Sequence, residues 1–217
     1  MSATDLGSLD AQTLAQLFAS REASPLEATR AALERIERFN PDVNAYVYVD
    51  AEGAESAAKA SARRWGQGKP LSPIDGVPVS LKDLTQVAGM PCREGSLTSS
   101  DALCESDAPP ARMLREAGAI LLGKTNTPEF GWKAVTDNRV FGATANPWDT
   151  RLTPGGSSGG AAAAAALNMG YCIRAATPAD RFVSPRHSLG FLASNPLSAG
   201  RPSGRQRKSP ASPTWGH

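Results

Sequence analysis

Apolar residues recur at helical spacing from the start of the chain. Leu9, Leu14, Leu17 and Phe18 fall on one side of a predicted first helix, for which Ser8 is the predicted N-cap. An alanine-rich stretch, 51–65, predicts a later helix of the same kind. The first third of the chain therefore predicts mainly helical structure.

The second predicted helix has the clearest start signal. Ser24 stands at the cap position, Pro25 at the first helical position and Glu27 in the first turn. The Asn40-Pro41 pair is predicted to end this helix. Its apolar positions follow helical spacing: Ala28, Ala32, Leu33, Ile36 and Phe39.

Three short apolar runs predict strands, at 44–49, 77–81 and 119–123. A predicted helix at 111–117 precedes the third run, and the polar, glycine-bearing stretch 87–103 reads as loop. Strands alternating with helices and loops predict an α/β fold, a mixed or parallel β-sheet covered by helices.

Composition narrows the class of protein. The chain has 217 residues, 41% hydrophobic and 20% charged, as in globular domains. Its net charge of +2 gives no reason to expect a nucleic-acid partner. The absence of a signal pattern and of a long apolar run predicts no membrane association. Three scattered cysteines predict a cytoplasmic protein, and no cofactor or metal motif is present.

The stretch 146–166, NPWDTRLTPGGSSGGAAAAAA, carries the candidate chemistry. Ser157 and Ser158 lie at the predicted start of an alanine helix, where unpaired N–H groups suit a developing oxyanion. Four glycines flank them and permit sharp bends or close approach: Gly155, Gly156, Gly159 and Gly160. A flexible linker and a phosphate-binding loop are the alternatives, although the stretch lacks the Gly-Lys-Ser/Thr ending of a P-loop.

Lys82 is the candidate base, because it stands where the second predicted strand ends, ahead of Asp83. A solvated surface lysine is the alternative, since most lysines are exposed. Burial favours the neutral amine, and a neutral amine accepts a proton from a serine hydroxyl.

Four segments together resemble the amidase signature family. They are DGVPVSLKDL (75–84), GAILLGKTNTPEF (118–130), GATANPWD (142–149) and TPGGSSGG (153–160), in family order and at family-like separations. The resemblance covers residues 8–172 and implies the N-terminal part of the amidase-signature fold. It also implies hydrolysis or transfer of amide groups, with a small-molecule amide as substrate.

Residue roles follow from this resemblance. Lys82 matches the catalytic lysine of a serine–cis-serine–lysine triad. Ser157 matches the bridging serine, whose peptide bond is cis in the family. Ser158 lies beside it in the loop.

The family's nucleophile, a third serine in a motif of the type T/S-D-x-G-G-S-I-R-x-P, is absent from its expected place. That place falls near Arg181, where the chain reads PADRFVSP. Ser184 and Ser188 lie nearby without the glycines or the arginine of the motif. As written, the chain is therefore expected to be truncated within the family fold and inactive.

The segment 173–217 has an unusual composition, with seven basic residues and one acidic residue. Suitable synonymous codons for 173–200, read out of phase, encode a string containing SDAGGSIRIPAS. The serine codon then straddles the codons of Asp180 and Arg181. We therefore expect residues 1–172 to be a partial amidase-signature domain and 173–217 to be a frameshifted, disordered tail.

Two other functions remain open from the sequence. The same motifs occur in the transamidation subunit of amidotransferases that act on misacylated tRNA. The basic stretch 201–208 suggests instead a non-enzymatic fragment that binds acidic partners.

Overall fold

A five-stranded mixed sheet organises the part of the chain that the computed structural model describes, residues 5–173 and 182–183. β2 pairs in parallel with β3 and β6, whereas β1 and β7 pair antiparallel at the two edges. The α/β class and the mixed sheet are thus confirmed. In spatial order the strands are β1 (Tyr46–Val49), β3 (Ile120–Thr125), β2 (Pro78–Lys82), β6 (Tyr171–Ile173) and β7 (Phe182–Val183).

Five α-helices cover this sheet: α1 (Ala11–Ser20), α2 (Pro25–Val43), α3 (Ala51–Gly66), α4 (Pro109–Glu116) and α5 (Gly159–Ala166). Two 3-10 helices, Leu6–Ser8 and Glu129–Gly131, and a small hairpin of β4 (Asp137–Asn138) with β5 (Gly142–Ala143) complete the described elements.

The helix starts show how the local sequence acts. Ser24 and Glu27 form the reciprocal capping box at the start of α2, as the sequence predicts. The predicted N-cap of α1 is wrong by two residues. Ser8 ends the first 3-10 helix, and Asp10 caps α1 by accepting a hydrogen bond from the Thr13 N–H at 2.8 Å.

The predicted end of α2 at Asn40-Pro41 is also wrong. The helix continues through Pro41 to the buried Val43 and ends with Asn44 in the left-handed conformation. A proline in the last turn removes one donor only, and burial of Val43 favours continuing the helix. The Asn40 side chain accepts hydrogen bonds from the N–H groups of Ala45 and Tyr46 and so directs the chain into β1.

Each face of the sheet has its own apolar core. Ile120 and Leu122 of β3 pack with α5 and with parts of α2 and α3 on one face. Val79 and Leu81 of β2 pack with α1, α4 and Leu121 on the other. We call these the α5 face and the α4 face. The two cores follow from the alternation of side chains along a strand.

A register shift interrupts the pairing of β2 with β3. Val79 lies opposite Leu121, but Ser80 lies opposite Gly123, so Leu122 has no counterpart. A Cβ atom on Gly123, at φ 156°, would overlap the carbonyl oxygen of Tyr48. Beyond the shift Lys124 lies opposite Leu81, whose side chain is on the α4 face.

Two results concern the predicted tail and the membrane. Phe182–Val183 pairs with β6, which the prediction of disorder after residue 172 did not anticipate. Residues 174–181 and 184–217, with Ser184 and Ser188, lie outside the described residues. Within the described ranges no helix has the length and apolar content to cross a bilayer.

Candidate active site

Lys82 ends the central strand β2 with its side chain on the α5 face. The residue is 2% exposed, so it is not the solvated surface lysine of the alternative interpretation. Its Nζ donates a hydrogen bond of 2.8 Å to the Oγ of Ser157. The structure thus brings together the two residues that the sequence assigns to the triad, although they are 75 positions apart.

The loop before α5 delivers Ser157 to this place. The peptide bond between Gly156 and Ser157 is cis. Gly155 has φ 87°, a conformation that glycine adopts readily. A Cβ atom on Gly156 would lie 2.7 Å from the backbone of Val135, so the loop approaches segment 132–136 closely. The positive φ of Gly155 and the tight backbone packing of Gly156 therefore account for the glycines before Ser157, which a flexible linker would not need.

The glycines after the two serines, Gly159 and Gly160, are tightly packed. A Cβ atom on Gly160 would lie 2.5 Å from the backbone nitrogen of Asn126. The N–H of Gly159 donates to the Oγ1 of Thr136 at 2.9 Å, and it is therefore committed within the protein. Ser158 occupies the N-cap position of α5, but its side chain makes no capping hydrogen bond.

Thr136 is a residue that the sequence analysis missed. It is buried, and its hydroxyl accepts from the Gly159 N–H and donates to the Gly155 carbonyl at 3.0 Å. One hydroxyl thereby fixes the backbone on both sides of Ser157 and Ser158. No motif at Thr136 signals this role, because it depends on contacts across 19 and 23 positions.

A network of buried amide side chains connects two of the motif segments. Asn126 donates to the Oγ1 of Thr144 at 3.0 Å and accepts from Asn138 at 2.8 Å. Thr144 in turn donates to the carbonyl of Asn44. Satisfied buried networks of this kind stiffen a core. This network holds the loop after β3 in place, and that loop forms one wall of the site.

A second buried lysine lies at the end of the neighbouring strand. Lys124 is fully buried, and its Nζ donates to Asp83 at 3.0 Å and to the carbonyl of Pro91 at 3.3 Å. Burial raises the pKa of Asp83 above its ordinary value, and the charge and hydrogen bond of Lys124 counteract that rise. The other Asp83 oxygen accepts the N–H of Arg93 at 3.2 Å.

Segment 129–135 lies close to Lys82. A Cβ atom on Gly131 would lie 4.0 Å from the Nζ of Lys82. Its neighbours Phe130, Trp132 and Val135 are exposed. The surroundings of the lysine–serine pair are thus apolar at the surface and hydrogen-bonded beneath.

This arrangement is suited to moving protons between side chains. A hydroxyl hydrogen-bonded to a buried amine can pass a proton to that amine and take one from another group. The described residues include no cluster of three or more His, Cys, Asp or Glu side chains placed to hold a metal ion.

Comparison with known proteins agrees with the motifs. The model of the Amidase family matches residues 27–172. The chain belongs to the amidase family. This confirms the resemblance on which the sequence analysis relied.

Curated relatives of the chain differ in name. A glutamyl-tRNA(Gln) amidotransferase subunit from Acidothermus cellulolyticus is 46% identical over 155 residues, 71% of this chain and 31% of the relative. The acylamidase of Rhodococcus erythropolis is 37% identical over 198 residues, 91% of this chain and 42% of the relative. The amidase chain therefore spans less than half the length of these relatives.

Solved structures show the same fold. The peptide amidase from Stenotrophomonas maltophilia matches with a TM-score of 0.70 and 31% identity, over 76% of this chain and 35% of the peptide amidase. The crystal structure of another amidase matches with a TM-score of 0.71 and 37% identity, over 76% of this chain and 38% of that chain. Both support the amidase-signature architecture of the described residues.

Proposed function

We propose that this amidase chain derives from a hydrolase of carbon–nitrogen amide bonds that uses a serine–cis-serine–lysine mechanism. The observation that carries the proposal is the 2.8 Å hydrogen bond between Lys82 and Ser157, made by a lysine that is 2% exposed. A buried amine within hydrogen-bond distance of a serine hydroxyl is the arrangement that proton transfer between the two groups needs.

In this mechanism neutral Lys82 accepts the proton of Ser157. Ser157 at the same time takes the proton of a third serine, which attacks the amide carbonyl. Collapse of the tetrahedral intermediate returns the proton to the leaving amine along the same path. Water then hydrolyses the acyl-serine ester. The substrate is a small amide, and the family assignment supports this class of substrate.

The nucleophile is the part of the mechanism that the written sequence lacks. We propose that the GGS motif is encoded in a shifted phase after codon 172, so that the chain as written does not hydrolyse amides. The family match ends at residue 172, which supports a change of phase there. The acylamidase alignment covers 91% of the chain and so extends into the tail, which favours the written phase. Resequencing across codons 165–185 decides between the two.

The direct test compares the gene as written with a gene carrying a one-nucleotide correction after codon 172. We expect ammonia release from simple primary amides by the corrected protein only. In the corrected protein, Lys82→Met and Ser157→Ala should each reduce the rate by at least about a hundredfold. Lys69→Met and Ser56→Ala change exposed residues of the same types and should leave the rate unchanged.

Three results would contradict parts of this proposal. Ammonia release by the chain as written, lost on Lys82→Met, would show that the shifted phase is not needed. A corrected protein that hydrolyses amides equally well with Lys82→Met would remove Lys82 from the mechanism. A corrected, folded protein that hydrolyses no amide would remove the hydrolase assignment.

A second candidate is the transamidation subunit of a tRNA-dependent amidotransferase. The 46% identity to a glutamyl-tRNA(Gln) amidotransferase subunit favours it. Such a protein would hydrolyse glutamine and pass the ammonia to misacylated tRNA with the help of partner proteins. Glutaminase activity that requires an added partner protein would select this candidate, whereas activity of the corrected chain alone would select the hydrolase.

A further inference from the structure

The buried pair of Lys124 and Asp83 lies on the other side of the sheet from the proposed reaction centre. Side chains alternate along β2, so Lys82 projects to the α5 face and Asp83 to the α4 face. The Asp83 side chain is only 3% exposed and that of Lys124 is 0% exposed. Screening by solvent is therefore weak around both residues.

This location gives Lys124 an electrostatic role at Lys82. A buried carboxylate next in the chain to a lysine stabilises the ammonium form of that lysine. Lys82 must be neutral to accept a proton from Ser157. Lys124 compensates the Asp83 charge through a 3.0 Å ion pair, so the field of the carboxylate at Lys82 is largely cancelled.

The pair also holds the wall above Lys82. Asp83 binds the N–H of Arg93 at 3.2 Å, and Lys124 binds the carbonyl of Pro91. The next residue, Glu94, accepts the N–H of Phe130 at 2.8 Å. Phe130 precedes Gly131, which packs against Leu84 and lies near the Nζ of Lys82. A continuous set of contacts thus runs from the ion pair to the proposed base.

We propose that Lys124 is a positioning residue for the amidase centre, which acts through Asp83 by cancelling its charge and so permits Lys82 to be neutral at working pH. The inference rests on the proposed role of Lys82 as a base. It assigns a function to an ion pair that touches neither Ser157 nor the opening of the site.

Other ionisable groups near Lys82 are left unchanged by the test. Cys92, Arg93 and Glu94 lie beside the Asp83–Lys124 pair, and Glu129 and the exposed pair Lys133–Asp137 lie near Gly131 in the chain. Burial raises the pKa of the Cys92 thiol to about 11, so it stays mostly neutral below about pH 10. Helix α5 carries no charged residue. The charges that the variants alter are therefore those of Asp83 and Lys124 alone.

The experiment follows the protonation of Lys82 directly in the full chain. Protein labelled with ¹³C in its lysine ε-carbons gives one signal for each of the six lysines, and the Lys82→Arg variant assigns the signal of interest. The midpoint of its shift is recorded between about pH 6.5 and 10.5. Asp83→Asn leaves an extra positive charge and should lower the Lys82 midpoint. Lys124→Met leaves an extra negative charge and should raise it.

We expect shifts of about one pH unit in these opposite directions, the size for charges about 10 Å apart at an effective dielectric constant of about 20. The double variant Asp83→Asn/Lys124→Met should return the midpoint to within about 0.3 unit of the wild type. Arg30→Met breaks the exposed pair with Glu55 and should leave the midpoint unchanged. A merely structural role would not produce shifts of opposite sign.

Midpoints that move in the same direction in both single variants, or that do not move, would overturn the inference. If Lys124→Met does not fold by circular dichroism, Asp83→Asn and the double variant decide the question. The titration needs no turnover, so its outcome is independent of the amide assay. Opposite shifts together with an inactive corrected protein would keep the electrostatic inference and reject the proposed function.

Discussion

Two buried lysines at the carboxyl ends of β2 and β3 have different kinds of partner on the two faces of the sheet. On the α5 face Lys82 donates to the hydroxyl of Ser157, which is only half-buried. On the α4 face Lys124 forms an ion pair with Asp83, and both side chains are buried. The same residue type at the ends of adjacent parallel strands thus meets a serine hydroxyl in one case and a fixed countercharge in the other. The partner, rather than burial, distinguishes a structural lysine from a candidate base.

The largest expected effect is a loss of stability when the ion pair between Lys124 and Asp83 is broken. Lys124→Met should lower the free energy of unfolding by about 3–5 kcal/mol, because it leaves the buried Asp83 carboxylate without its countercharge. Lys82→Met should cost only about 1 kcal/mol, since the half-buried Ser157 hydroxyl can turn to water. Urea denaturation of both variants measures the difference. Equal losses in the two variants would show that the faces do not differ as described.

A medium effect is expected where α5 approaches β3. Gly160→Ala should destabilise the protein by about 1–3 kcal/mol, because the added methyl group meets the backbone of Asn126 and Ala45. Gly66→Ala is the matched control: no atom lies within 4 Å of the added group, and alanine favours helix. It should therefore stabilise α3 by up to about 1 kcal/mol. The thermal unfolding temperatures of the two variants test this argument. Shifts in the same direction in both variants would contradict it.

The smallest expected effect concerns the two ends of β2. Burial opposes ionisation of Asp75, but hydrogen bonds from Arg64, Leu71 and Ser61 together with the charge of Arg64 lower its pKa. The pKa of Asp83 is raised by burial. A lowered pKa contributes stability that is present above the unfolded value, about 4, and is lost as pH falls through the folded value. The raised pKa of Asp83 acts in the opposite direction, with stability lost as pH rises through its folded value.

Urea midpoints measured between about pH 2 and 6 test these signs. In Asp75→Asn the urea midpoint should fall less steeply as the pH is lowered than in the wild type. In Glu55→Gln, which alters an exposed ion pair, the midpoint should depend on pH nearly as in the wild type. An unchanged acid slope in Asp75→Asn would show that the Arg64 contact does not govern the ionisation of Asp75.

Local signals in the sequence predicted local structure well. The capping residues Ser24 and Glu27 act within one turn, so their effect is visible in four letters of sequence. The apolar runs at 77–81 and 119–123 became β2 and β3 within one or two residues at each end. The end of α2 was mispredicted, because burial of Val43 outweighs the local effect of Pro41.

The site was predictable only in part, for a physical reason. Lys82 and Ser157 were named from two separate motifs. The structure shows that the two side chains are hydrogen-bonded to each other. Thr136 and Lys124 were missed, because their partners come from remote segments that only the folded sheet brings together.

The register shift at Gly123 has a consequence for how this chain tolerates insertions and deletions. Alternation alone would place Lys124 on the same face as Ile120 and Leu122, beside Lys82. Because Leu122 has no counterpart in β2, the alternation of side chains along β3 shifts by one residue after it. The side chain of Lys124 therefore reaches Asp83 on the α4 face. Inserting one further residue between Gly123 and Lys124 would exchange the two faces of the strand end and place the two lysine side chains on one side. A change in residue count at this point would therefore be more harmful than most changes in residue identity.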